Sequence, residues 1–230
     1  YAYVATRARS RRSRLLPAEA YNQLLNLEHA EIARYIQDLE YRREIDRYGS
    51  TLSGADLIET ALVDNLAKDV GDFLSFSKGK LRDILHVYAE KYRIENLKNI
   101  VRGINQNMDK QNLERLVCPI NDSDKELYNK LYDSKTVEDM ISSLEGTSYY
   151  NPLKKALEAR NSDSLQPLED ALDLIYYQNL VSNQPTGGPD VEVYRDFVQL
   201  KVDIANIKTL LRMRHRGIGA HDELLIGGGT

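Results

Sequence analysis

Apolar side chains recur at steps of three and four residues along most of the chain, a spacing that keeps them on one face of an α-helix. The longest stripes predict helices over 54–76, 78–104 and 190–212. Ser53 is the expected N-cap of the first, and Ser123 opens a Ser-Asp-Lys-Glu capping box that predicts a shorter helix. No run alternates for long as a half-buried strand does, so the pattern predicts an all-α fold. Three prolines stand where further helices could begin: Pro17, Pro167 and Pro189.

An ungapped internal repeat emerges when the chain is shifted by 110 residues. Residues 91–102 then overlie 201–212 with five identities in twelve positions, where average residue usage gives about one by chance. Both copies contain Asn-x-Lys-x-x-x-Arg, and the same shift places 59–62 over 169–172. The chain is therefore interpreted as an array of repeated helical units.

The repeat divides the chain. We predict helical repeat unit 1 over 1–105, unit 2 over 106–215, and the start of a truncated third unit over 216–230. A weaker echo opens the chain, where the basic positions are kept but Ala5 replaces the Asn. Asn96 and Asn206 are interpreted as structural residues, because an Asn at the edge of an apolar stripe more often hydrogen-bonds a neighbouring helix than a ligand.

Positive charge is concentrated at two places in a chain with a formal net charge of −4. Residues 1–16 and 204–221 carry nine Lys or Arg and no acid, which leaves −13 on the remainder. Basic segments on an acidic body favour polar partner surfaces. Lys98 and Arg102 have a second interpretation, which is pairing with carboxylates of the chain itself such as Glu59 or Glu169. The candidate partner contacts are Arg7, Arg9, Arg11, Lys98, Arg102, Lys208, Arg212 and Arg216.

Motifs that carry chemistry are absent from the sequence. It contains neither GxxxxGK[ST] nor a GxGxxG after a strand, its four His are scattered, and its one cysteine cannot build a disulfide or a Cys-rich zinc site. No apolar run approaches the ~20 residues of a membrane-spanning helix. We therefore predict no catalytic residue, no cofactor, no metal and a non-catalytic role.

Several segments together resemble one known family. These are 1–9, the Arg14-Leu15-Leu16 step, 39–45, and the twofold Asn-[Leu/Ile]-Lys-x-x-x-Arg helices. They are similar to the C subunit of A-type and V-type ATP synthases, whose eukaryotic relative is the d subunit of the vacuolar proton pump. The resemblance covers essentially the whole chain.

The resemblance implies an all-helical funnel of three similar units around a pseudo-threefold axis. It implies a peripheral location on the cytoplasmic face of the cell membrane, where the subunit links the proteolipid rotor ring to the central shaft. It also implies coupling of ion translocation to ATP synthesis or hydrolysis, without an active site. The family's third unit would continue beyond Thr230, so we expect most of that unit to be missing from this sequence.

A second hypothesis is a helical scaffold or RNA-binding module that uses the same basic segments. RNA binding would favour aromatic residues interleaved with arginines, because bases stack on aromatic rings. The tyrosines instead fall largely on the apolar stripes. This distribution favours the rotor subunit, with ring and shaft subunits as partners and no nucleic acid.

Overall fold

The computed structural model describes residues 2–160, 164–184, 190–215 and 225–229. All regular secondary structure in these ranges is α-helical, so the all-α prediction is confirmed. The described helices are α1 (Ala2–Arg12), α2 (Ala18–Leu24), α3 (His29–Gln37), α4 (Arg42–Tyr48), α5 (Gly54–Phe76), α6 (Lys80–Asn105), α7 (Lys110–Arg115), α8 (Asp122–Leu131), α9 (Val137–Ser142), α10 (Tyr150–Glu158), α11 (Gln166–Ser182) and α12 (Asp190–His215).

The three long predicted helices are present as α5, α6 and α12, each within a few residues of its expected bounds. Pro17 immediately precedes α2, and Pro167 lies in the first turn of α11, where its missing N–H costs no hydrogen bond. Pro189 lies outside the described residues.

The predicted capping box at Ser123 is wrong. The helix begins at Asp122, and the side chain of Asn121 accepts a hydrogen bond from the backbone N–H of Asp124 at 2.9 Å. Asn is at least as good an N-cap as Ser, so the helix starts earlier and Ser123 lies inside its first turn. Ser53 does occupy the N-cap position of α5, but its hydroxyl makes no capping hydrogen bond.

Two apolar cores hold the helices together in the described part of the chain. The smaller core joins α3, α4 and α5 and includes Ile36, Ile45 and Ala61. The larger core draws on α6 through α12, and its innermost α6 side chains are fully buried at Leu97 and Ile100. The C-terminal half of α6 thus packs into the core of the residues that follow it, and the division at 105 stays a prediction.

Helix α6 lies between α5 on one side and α11 on another, and α11 also contacts α12. The non-helical step after α7 is seated against α5, where the backbone oxygen of Ile120 approaches the Cα of Gly71. A Cβ at Gly71 would lie 2.8 Å from that oxygen, so glycine permits this close approach. No helix within the described ranges is both long and apolar enough to cross a membrane.

Candidate functional site

The repeated cations of α6 are paired with acidic side chains of α11. Lys98 Nζ lies 2.6 Å from Asp173 Oδ1, and the Lys98 side chain is only 7% exposed. Arg102 donates to Glu169 through two hydrogen bonds, Nε to Oε1 at 2.7 Å and Nη2 to Oε2 at 2.9 Å. These bonds raise the pKa of Arg102. Both cations are committed to contacts within the chain, so we assign them a structural role.

Helix α1 docks on α5 through a similar basic edge. Arg11 forms ion pairs with Asp69 and with Asp72, the latter at 2.7 Å, and its guanidinium lies over the ring of Phe73. Arg7 hydrogen-bonds the Tyr3 hydroxyl at 2.7 Å and lies over Phe76. Since α1 has no buried side chain of its own, these polar and cation–π contacts hold it in place.

The repeated asparagines each make the same pair of hydrogen bonds, to a backbone 22 residues further along the chain for Asn96 and 20 for Asn206. Asn96 donates to the Cys118 carbonyl at 2.9 Å and accepts from the Cys118 N–H at 3.2 Å. Asn206 donates to the Ile226 carbonyl at 2.9 Å and accepts from the Ile226 N–H at 2.8 Å. Each side chain therefore fastens a non-helical segment further along the chain, which for Asn96 is the segment after α7, and Ala5 cannot do so.

Four candidate contacts make no ion pair within the described part of the chain, and Arg7, described above, is one of them. Arg9 projects from α1, while Lys208 and Arg212 project from α12, and all three are exposed. Arg216 lies outside the described residues. The structure thus separates the predicted contacts into those that form ion pairs inside the chain and those that are exposed without one, although Arg212 lies beside acidic residues of α11.

The sequence did not predict a buried charged cluster that forms around Arg93. Arg93 lies 2.6 Å from Asp124 and 3.0 Å from Glu90, and the Asp124 side chain is 2% exposed. Glu90 also accepts a hydrogen bond from the Tyr149 hydroxyl. Burial and the Glu90 carboxylate both raise the pKa of Tyr149. The cluster joins α6, α8 and the start of α10, and it has no copy in the repeat.

The surroundings of Cys118 make its thiol unreactive. Its sulfur lies 3.6 Å from Asp64 Oδ1, and burial together with that carboxylate raises the pKa of Cys118 to about 12. Since the thiolate is the reactive form, this residue is a poor nucleophile at neutral pH. Within the described ranges, no group of three or more His, Cys, Asp or Glu is placed to hold a metal ion.

Alkaline pH should weaken the fold through Cys118. An exposed thiol ionises near pH ~8.5, whereas Cys118 in the folded chain keeps its proton until about pH 12. Because the pKa of the thiol is higher in the folded chain than in the unfolded chain, the thiol stabilises the fold fully at a pH below its unfolded-state pKa. This stabilisation is lost as the pH rises towards the folded-state pKa. Denaturation midpoints for the chain and for Cys118→Ala should converge above pH 9. Parallel curves would contradict the assignment.

Replacing Asn96 with Ala should release the segment that carries Cys118. The change leaves the Cys118 N–H and carbonyl without their partner, and a buried unsatisfied polar group costs about 1–3 kcal/mol. We expect Asn96→Ala to accelerate thiol labelling of Cys118 by a disulfide reagent under native conditions. Asn206→Ala is the matched control, because it removes the same bonds at Ile226 and should leave the labelling rate unchanged.

Comparison with known proteins identifies what the chain resembles. Residues 4–230 match the family described as "ATP synthase (C/AC39) subunit". Curated relatives named as the C subunit of A-type ATP synthase are 34% identical in Archaeoglobus fulgidus and in Haloferax volcanii. These matches cover 93% and 99% of this chain but 61% and 66% of the relatives. The chain thus spans just under two thirds of their length.

Proposed function

This chain belongs to the ATP synthase (C/AC39) subunit family, and we propose that it is a non-catalytic central-stalk subunit of an A-type ATP synthase. In this role it is a socket between the membrane rotor ring and the central shaft, and it couples proton or sodium translocation to ATP synthesis or hydrolysis. The observation that carries the proposal is the family match along 4–230. Relatives at 34% identity that are named as the C subunit of A-type ATP synthase add support.

The geometry of the described helices suits a part that transmits force. A socket that bears torque must resist sliding between its helices. Here the long helices are cross-linked by side chains: Arg102 ties α6 to α11, and Arg11 ties α1 to α5. Directional, charge-assisted bonds fix the register between helices in a way that apolar packing alone does not.

We further propose that units 1–105 and 106–215 and a third unit from 216 onward stand around a pseudo-threefold axis as a funnel. The funnel lies peripherally on the cytoplasmic face of the membrane and reaches it only through the ring. Arg7 and Arg9 on α1, and Arg216 beyond α12, are the proposed contacts with polar loops of the ring or with the shaft. Exposed pairs contribute about 0–1 kcal/mol each, so attachment depends on several of them.

The test is reconstitution of the membrane enzyme with and without the natural chain. Without the chain we expect the head to hydrolyse ATP while no ion gradient forms, and we expect added chain to restore pumping. Full coupling in its absence would overturn the proposal. Affinity capture from native membranes tests the alternative of a scaffold or RNA-binding module. That alternative predicts that nuclease-sensitive RNA, and not the ring and shaft subunits, is captured with the chain.

A further inference from the structure

A cleft of about 520 Å³ lies between the start of α1 and the turn that joins α5 to α6. Its walls are mainly apolar, and the Tyr3 side chain at its edge is 57% exposed. Mainly apolar clefts of about 300–1,000 Å³ with a few polar groups are typical of binding sites. The side chains that form the walls include Tyr3, Val4, Phe76, Lys78 and Leu81.

One wall of this cleft is held in place before any partner binds. The rings of Tyr3 and Phe76 meet edge to face with their centroids 5.8 Å apart. The Arg7 guanidinium lies over both rings, 5.3 Å from the centroid of Tyr3 and 5.5 Å from that of Phe76. Tyr and Arg are frequent among the few residues that contribute most to a protein–protein interface. The wall is therefore a suitable seat for an inserted side chain.

The charge around the cleft is positive. The two segments that form it, 1–16 and 73–82, contain eight Lys or Arg and no Asp or Glu. Lys78 is exposed and forms no ion pair with the described residues, while the preceding acid, Asp72, is already bound by Arg11. A partner that carries negative charge is complementary to this surface.

We propose that the cleft binds a loop of the rotor ring, in which an apolar side chain enters between Tyr3 and Leu81 and a neighbouring carboxylate pairs with Lys78. The inference rests on the proposed function and gives the chemistry of one contact within it. A cleft of this size accepts one or two side chains and not a helix of several turns, so a loop is the element that fits. The inserted side chain would supply attachment beyond what exposed ion pairs provide.

The test uses membranes that retain the ring but are stripped of this chain, the shaft and the head. Hydrogen exchange over residues 78–82 of the added chain is the readout. The first turn of α6 has no side-chain cap, and the first N–H groups of a helix have no intrahelical partner, so their exchange reports directly on a covering loop. We expect binding to the ring to slow this exchange by about tenfold or more.

Two variants change the cleft in different ways. Val4→Trp fills it from α1, and we expect the slowed exchange to disappear and the affinity for the membranes to fall by about tenfold or more. Lys78→Glu reverses its charge and should lower the affinity by about three- to tenfold. Lys68→Glu is the matched control, because it makes the same change at an exposed position of α5 outside the cleft, and it should leave the affinity unchanged. Exchange of α1 in each free variant must match that of the natural chain, which excludes undocking of the helix.

Several results would overturn the inference. Tight binding with unchanged exchange over 78–82 would exclude the cleft as the docking site, and protection that appears only when shaft subunits are added would exclude the ring as its partner. Affinity that neither Val4→Trp nor Lys78→Glu alters would exclude the insertion and the ion pair. The proposed function is tested separately by restored ion pumping, so a chain that restores pumping while 78–82 stays unprotected would contradict this inference alone.

Discussion

Lys98→Glu should lower the free energy of unfolding by about 3 kcal/mol, whereas the same change at Lys208 should cost less than about 1 kcal/mol. The two lysines occupy equivalent positions in the repeat. The Lys98 side chain is 7% exposed and pairs with Asp173 at 2.6 Å, while Lys208 is exposed. Because the Asp173 side chain is 40% exposed, the cost at Lys98 falls at the lower end for a broken buried pair.

The physical reason is the set of charges around the new carboxylate. A Glu at position 98 would face Asp173 and also Glu95, whose carboxylate lies 3.7 Å from the Lys98 ammonium. Denaturant titration followed by helical circular dichroism measures the loss for each variant. The exchange Lys98→Glu with Asp173→Lys should recover most of it, because the pair is remade with its polarity inverted. Equal losses at Lys98 and Lys208 would contradict the structure.

The long helices could be predicted from the sequence because each presents an apolar stripe that runs for several turns. The short helices α7 and α9 have six residues each, too few for periodicity to separate them from turns. The Ser123 prediction failed for a related reason. A local motif competes with its neighbours, and Asn121 two residues earlier provides the cap instead.

The candidate site also contains both residues that the sequence could predict and residues that it could not. The repeat drew attention to Asn96, Lys98 and Arg102 because the same residues return 110 positions later. The sequence also offered Glu59 or Glu169 as partners for the cations. The structure pairs Arg102 with Glu169, and it alone identifies Asp173 as the partner of Lys98. Arg93 has no such counterpart, since position 203 holds an Asp. Its partner Asp124 is 31 residues away, and no local pattern connects residues at that separation.

Reversing Arg7 and Arg9 to Glu should uncouple the assembled enzyme. Both guanidinium groups are exposed on α1, and Arg11 would still tie the helix to Asp72. If these arginines contact acidic or carbonyl-rich loops of the ring, two reversals should cost about 1–2 kcal/mol of attachment, or roughly tenfold in affinity. We expect ATP hydrolysis by the head to continue while ion pumping falls.

The dependence of attachment on salt concentration distinguishes the loss of a charge contact from a folding defect. Exposed pairs are screened within about 8 Å at physiological ionic strength, so added salt should weaken attachment of the unmodified chain and bring it closer to the double variant. The matched control reverses Lys135 and Lys155, which are exposed outside α1 and give the same change in net charge. Hydrogen exchange of α1 must stay slow in Arg7→Glu/Arg9→Glu, because a detached α1 would uncouple the enzyme for another reason. If the variant retains α1 and stays fully coupled at every salt concentration, α1 is not a contact and attachment depends on apolar shape alone.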